Sequence, residues 1–256
     1  MTRWPVPNPW SAPVFYLDST GSTMEDAQRL GEAGYPGGTV VVAGFQERGR
    51  GRYPERSWAA EAGSSLLFTL LLDLEPAFPP QRLPVLAGLA LAQALEDRFG
   101  LATEVKWPND LLYRGRKLAG ILCEARTRPP EPARVLVGMG VNCNQRAFPP
   151  ELAGRACSLA ELLGGQVALP ELLEDILAAL HATLRDEGWR ARLERRLYGL
   201  GREALLTGPS GGVSAAGGPP ARGTVRGVAE DGALLLEAGG RVLPVYSGEL
   251  SFQAEA

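Results

Sequence analysis

Chemistry-bearing residues are unevenly distributed along this 256-residue chain. Of 26 basic residues only two are lysines, Lys106 and Lys117, and both fall in one 12-residue stretch. The other 24 are arginine. Lysine is a compact point charge with three donors, which the flat arginine fork does not replace everywhere. The clustering therefore directs attention to residues 106–117. Within it, Lys106-Trp107-Pro108-Asn109-Asp110 forms a stiff turn with an amide and a carboxylate at its corner. If the flanking segments form a hairpin, Lys117 on the return strand comes near that corner. The Asp110 carboxylate could hold Mg²⁺ together with substrate phosphates, and Lys117 could neutralise charge developing on a reacting phosphate. Taken singly, Asp110 also reads as a turn former and Lys117 as an exposed strand residue.

A second group is Gln46-Glu47-Arg48-Gly49-Arg50-Gly51-Arg52. Alternating glycine exposes backbone N–H groups and permits unusual dihedrals. The arginines add forked donors suited to carboxylates and phosphates. Such a loop could cradle an anion, although a solvated charged loop has the same composition. The phosphate-binding patterns G-x-x-x-x-G-K-[ST] and G-x-G-x-x-G are both missing.

Ser22-Thr23-Met24-Glu25 fits a capping box, Ser followed three residues later by Glu. The same hydroxyls, at a helix start, could also face a ligand. In Gly138-Met139-Gly140-Val141-Asn142, glycines interrupt a strand pattern, which implies a close neighbour such as a ligand. The single histidine, His181, lies among leucines and charges on a helical segment and reads as non-catalytic. With no second histidine and no G-x-S-x-G elbow, a serine triad and a histidine metal site are both disfavoured.

These groups need a scaffold. The residue pattern predicts helices at 24–33, 83–99 and from 169 onward. In the second of these, Leu86, Ala87, Ala90 and Ala94 form one stripe, and in the third Leu173, Ile176, Leu177, Leu180 and Leu184 do the same. It predicts strands at 39–45, 64–72, 104–107, 110–113, 117–124 and 134–141, with Arg114-Gly115-Arg116 as a hairpin link. Residues 1–15 read as a loose arm. A glycine- and proline-rich stretch, 208–223, precedes short strand-like runs at 224–228, 233–237, 242–246 and 249–252. The expected organisation is a mixed α+β domain over residues 1–203 and a small all-β module over 204–256.

Composition limits the function classes. The net charge is −3, which argues against a protein that grips nucleic acid by charge. The longest apolar run, residues 66–72, is too short to span a bilayer, and the proline-rich start does not read as a signal peptide. Three cysteines with no C-x-x-C rule out a disulfide framework and suit a reducing cytoplasm.

Together the segments resemble the biotin–protein ligase family, the biotin–[acetyl-CoA-carboxylase] ligases. The likeness rests on Ser22-Thr23, the Gln46 to Arg52 loop, Lys106-Trp107-Pro108-Asn109-Asp110, Arg116-Lys117-Leu118-Ala119-Gly120-Ile121-Leu122 and Gly138-x-Gly140-Val141-Asn142, in the family's order. Asp231-Gly232-Ala233-Leu234-Leu235-Leu236 is similar to part of its SH3-like C-terminal domain. The resemblance implies a mixed β-sheet catalytic domain of the class II synthetase-like, biotin–lipoate ligase fold, followed by a small SH3-like barrel. It implies that biotin and ATP give biotinyl-5′-adenylate, and that a lysine of a biotin carboxyl carrier protein then takes the biotin.

On the same basis, Ser22, Thr23 and Gln46 would bind the biotin head. Gly49, Arg50, Gly51 and Arg52 would cover biotin and adenylate, with Arg50 also catalytic. Lys117 would be the principal catalytic residue, and Gly120 and Gly138 would let the ligand approach the sheet. Lys106, Trp107, Asn109, Asn142 and Arg226 would serve the nucleotide, and Asp110 would serve Mg²⁺.

The chain departs from the family pattern in having Met24 after the Ser-Thr pair, and a second pair, Ser19-Thr20, lies just upstream. The likeness begins near residue 14, with only about a dozen residues before it, so no DNA-binding function is expected. An open sheet edge would permit a homodimer. The rivals are a lipoate or octanoate transferase of the same superfamily, for which Cys123 near Lys117 would supply a thiolate, and a non-enzymatic nucleotide- or nucleic-acid-binding module.

Overall fold

The computed structural model describes residues 1–53, 58, 60–126, 134–207 and 221–252. Eight strands form the larger sheet: β1 (Thr2–Arg3), β2 (Val14–Leu17), β3 (Val40–Ala43), β4 (Ser65–Asp73), β5 (Glu104–Lys106), β6 (Asp110–Tyr113), β7 (Arg116–Arg126) and β8 (Arg134–Asn142). Their spatial order is β1-β2-β3-β4-β8-β7-β6-β5. All pairs are antiparallel except β2–β3. β4 and β8 are central and buried along almost their whole length. That explains the unbroken apolar run in β4, since a strand covered on both faces has no polar side to show.

Among the described residues five α-helices, α1 (Thr23–Glu32), α2 (Leu83–Phe99), α3 (Leu159–Leu163), α4 (Leu169–Thr183) and α5 (Trp189–Glu194), accompany the sheet. α2 packs on one face and α4 covers α2 from outside. The expected stripe on α2 is therefore too narrow: Val85, Leu89, Leu91, Ala92 and Leu95 are buried as well. Gly100, in the left-handed region at φ 68°, ends the helix and donates its N–H to the Glu96 carbonyl. α1 lies on the opposite face. There Met24 and Ala27 pack on Val41, Leu71 and Leu136.

A second, antiparallel sheet contains β9 (Glu203–Thr207), β10 (Ala221–Val228), β11 (Leu234–Ala238), β12 (Arg241–Val245) and β13 (Glu249–Phe252), in the order β12-β11-β10-β9-β13. It is docked firmly on the larger unit. The Trp107 indole N–H donates to the Gly232 carbonyl at 3.2 Å, and Arg190 Nε donates to the Val228 carbonyl at 3.1 Å. Arg82 stacks against Phe78 and Trp189 and pairs with Glu230. Buried Leu206, Val225, Leu234 and Leu250 are continuous with the main core. Most of the glycine-rich stretch, at 208–220, lies outside the described residues.

The N-terminal arm is not loose. β1 pairs with β2, Val6 and Ala12 are buried, and the Trp10 ring meets His181 edge-on. Three aromatic or aliphatic anchors within a dozen residues outweigh the prolines, which only restrict the path.

Candidate active site

Glycines decide where the sheet is left bare. On the α1 face, Gly120 of β7 stands opposite Gly140 of β8, and Leu122 stands opposite Gly138. α1 reaches only part of this face. A Cβ on Gly138 would lie 2.7 Å from Met24 Sδ, and Cβ atoms on Gly120 and Gly140 would lie 2.9 and 2.6 Å from the Trp58 ring. The three glycines thus form the floor of a cleft that opens between α1 and the arginine loop.

Lys117 reaches this floor through an irregularity. Strand alternation would put residues 117 and 120 on opposite faces. The β6–β7 register shifts between Leu111 and Leu112, so Leu118 has no partner: Asp110 pairs with Gly120, Leu111 with Ala119, and Leu112 with Lys117. This β-bulge returns Lys117 to the Gly120 face. Its Nζ lies 2.7 Å from Asp110 Oδ1 and 5.7 Å from the centre of the Trp58 ring. The hairpin expected between the two strands is present. Arg114 and Gly115 form its turn at φ 49° and 75°, the primed type that suits strand twist.

Ser22 occupies the N-cap of α1, but its hydroxyl makes no capping bond. The expected capping box is not formed. Instead Ser22 Oγ is buried without a hydrogen-bond partner and lines the cleft. An unsatisfied buried hydroxyl is costly, so a ligand acceptor or donor is its natural partner. Thr23 is placed beside it and is already engaged. Its N–H donates to Gln46 Oε1 at 2.8 Å, its hydroxyl lies 3.0 Å from the same oxygen, and it is 2.8 Å from the Thr69 hydroxyl. Gln46 also lines the cleft. Of the alternative pair, Ser19 is exposed and Thr20 donates to Asp26; neither faces the cleft.

The arginine loop forms one wall. Its start is pinned to the α1 entrance by Glu47 N–H to the Thr20 carbonyl and Arg48 N–H to the Gly21 carbonyl, both 2.9 Å. Arg50, Gly51 and Arg52 line the cleft, and Arg52 donates to the Gly248 carbonyl at 2.8 Å. Gly49 instead backs the loop against the Trp58 carbonyl, where a Cβ would sit 2.5 Å away. Glu249 of the small sheet completes the wall.

A neighbouring groove contains Lys106, Asp110, Lys117, Asn142, Arg155 and Tyr198. Burial pushes the Lys106 ammonium below its usual range, partly offset by Asp110 and Glu249. Asn142 braces the scaffold: its amide donates to the Lys117 and Cys157 carbonyls at 3.4 and 3.1 Å, and Gln145 donates to its oxygen. Asn109 donates to the Ile121 carbonyl at 3.0 Å. Trp107 is buried and spends its N–H on the domain contact.

The expected residues therefore converge except for Gly49, Trp107 and Arg226, none of which lines either groove. Arg226 on β10 is ion-paired with Glu237. Trp58, Glu249 and Arg155 were not anticipated. Trp58 carried a signal, being an aromatic at the end of an otherwise polar loop. The other two are brought in by chain folding alone.

The surroundings of the cysteines disfavour their thiolates. Burial pushes Cys157 up to about 11, Cys143 up to about 12, and Cys123 further still. A thiolate-based transferase is poorly served by such groups. Among the described residues no group of three His, Cys, Asp or Glu could hold a metal, and no helix is long and apolar enough to cross a membrane.

Residues 16–142 match the biotin/lipoate A/B protein ligase family, and residues 213–253 match the biotin protein ligase C-terminal domain. The chain is 32% identical to the bifunctional ligase/repressor BirA of Bacillus subtilis, over 93% of this chain and 73% of that one. It is also 32% identical to the biotin–[acetyl-CoA-carboxylase] ligase of Mycobacterium tuberculosis, over 90% and 85%. The fold is similar to the biotin protein ligase from Aquifex aeolicus solved with biotin and ATP, with TM-score 0.77, 28% identity, and 94% and 99% of the two chains covered. The glycine-floored cleft and the docked small sheet accordingly belong to a member of the biotin–protein ligase family.

Proposed function

We infer that the chain is an ATP-dependent biotin–protein ligase and that the glycine-floored cleft is where it works. In the first step a biotin carboxylate oxygen attacks the α-phosphorus of ATP, and pyrophosphate leaves. In the second, a lysine amine of the acceptor attacks the acyl carbon of the mixed anhydride, AMP leaves, and an amide remains. The acceptor is a carrier domain of a biotin-dependent carboxylase, which the names of the relatives suggest.

The observation that carries this reading is the placement of opposite demands in one cleft. An unsatisfied buried hydroxyl, Ser22 Oγ, and the Lys117 ammonium line the same bare strip of sheet. A ureido head group needs hydrogen bonds, and a carboxylate meeting a phosphate needs positive charge. Lys117 stabilises the extra charge at phosphorus, and Arg50 and Arg52 supply forked donors from above. Trp58 offers a flat apolar wall to a base or ring. The loop and Glu249 keep water from a hydrolysable anhydride.

Magnesium fits as a companion of the nucleotide, not as a resident of a protein cage. Asp110 is the carboxylate beside Lys117, and Mg²⁺ typically takes one or two carboxylates with phosphates and water. It would supply charge neutralisation on the polyphosphate.

The test is transfer. Incubation with biotin, Mg-ATP and a purified carrier domain should add one biotin to a single lysine, detected by intact mass. Labelling with lipoate in place of biotin would assign the chain to the sister activity.

A further inference from the structure

We propose that Glu124 is a positioning residue for the arginine loop, holding Arg50 over the cleft so that the adenylate is retained. This rests on the ligase reading above and adds to it a residue that makes no contact with the chemistry.

Glu124 lies on β7 opposite Leu136 of β8. Leu122 and Gly120 precede it by two and four residues, so all three share the ligand face. The cleft floor thus continues along β7 into a carboxylate. Glu124 Oε1 lies 2.8 Å from Arg50 Nη2, and its side chain is only 21% exposed.

The geometry of the loop gives that contact its weight. The loop leaves β3, and its backbone is pinned at Thr20 and Gly21, on the far side of the cleft. Glu124 sits two strands beyond β4, past β8. The Arg50–Glu124 pair therefore ties the loop across the width of the ligand face. The Arg48–Glu25 pair is longer, 3.2 Å, and much more exposed, so solvent screens it. The Arg52 bond to Gly248 tethers the loop to the small sheet, in another direction. A guanidinium has five N–H donors in a rigid fork. Using Nη2 on Glu124 leaves Nη1 and Nε for a phosphate or acyl oxygen. Glu124 thus fixes the orientation of the fork without competing for the ligand.

The experiment measures adenylate escape. Wild type, Glu124→Gln, Arg50→Ala and the double variant are loaded with biotin and Mg-ATP, and release of biotinyl-adenylate is followed without acceptor. Glu124→Gln should release it roughly 5- to 20-fold faster, the size expected for losing a partly exposed charge-assisted bond. KM for biotin should rise similarly, while kcat with saturating acceptor falls about twofold or less. In the Arg50→Ala background the same substitution should add much less than it does in wild type. Glu124→Asp should recover part of the retention, and the melting temperature of Glu124→Gln should stay close to wild type. Release at the wild-type rate, or a full additional effect on top of Arg50→Ala, would overturn the proposal. Wild-type protein that forms no biotinyl-adenylate would instead sink the ligase reading itself.

Discussion

The Asp110 carboxylate and the Lys117 ammonium face each other at 2.7 Å across two strands whose register is offset by one residue. Were Leu118 paired in regular alternation, without the bulge, Lys117 would turn toward α2, into the apolar core. The position of the proposed catalytic cation is therefore set by a backbone irregularity, and the carboxylate opposite offsets its charge in a cleft already rich in arginine.

Lys117→Ala should lower the rate of adenylate formation by about 100-fold or more, the scale seen when one preorganised electrostatic donor is removed. Biotin affinity should change far less. Lys117→Arg should not restore the rate, because a planar fork cannot occupy the space of a point ammonium. Rapid-quench measurement of biotinyl-AMP, with biotin binding by calorimetry, separates the two effects.

Ser22→Ala isolates a binding role from a folding role. A lost N-cap costs typically about 1 kcal/mol, or about 2–4 °C in a domain of 150–250 residues. Ser22 makes no cap bond, so the melting temperature should hold. KM for biotin should rise about 5- to 30-fold as a hydrogen bond to the ligand is lost. A thermal melt beside a KM measurement checks both.

Gly140→Ala places a methyl 2.6 Å from the Trp58 ring. The indole must leave the floor, and nucleotide-dependent activity should fall at least 10-fold. Trp58→Ala in the same chain should remove the clash and leave the double variant no worse than Trp58→Ala alone. Steady-state kinetics of the three variants test this non-additivity.

The thiols should be silent at pH 7.5. Iodoacetamide should leave activity intact, as judged by residual transfer, because burial pushes all three thiols up, Cys157 to about 11 and Cys143 to about 12. Their folded values lie above the unfolded value of about 8.5. The stability this gives is complete below about pH 8.5 and is lost as pH rises toward 11–12. Cys143→Ala should flatten that alkaline decline in melting temperature.

Much of this was legible in the sequence, for identifiable reasons. β4, β8 and α2 were found because long apolar runs and periodic leucines encode burial directly. The Lys106 to Lys117 stretch was found because lysine is scarce in this chain. Three features were not legible. Ser22 carried both readings, cap and ligand contact, and residue spacing alone cannot tell whether a hydroxyl turns to the helix or to the cleft. The Leu118 bulge has no composition signal, and it alone decides which way Lys117 points. Glu124 and Glu249 reach the site through pairings more than a hundred residues apart or across three strands, which local pattern does not carry.

The central claim is that the cleft over Gly120, Gly138 and Gly140 makes biotinyl-adenylate. Purified protein mixed with biotin and α-labelled Mg-ATP, quenched within one turnover and resolved by mass, should yield biotinyl-5′-AMP and an equal amount of pyrophosphate, with none formed from lipoate. Absence of that adenylate from active, folded protein, or its formation at an undiminished rate by Lys117→Ala, would contradict the account.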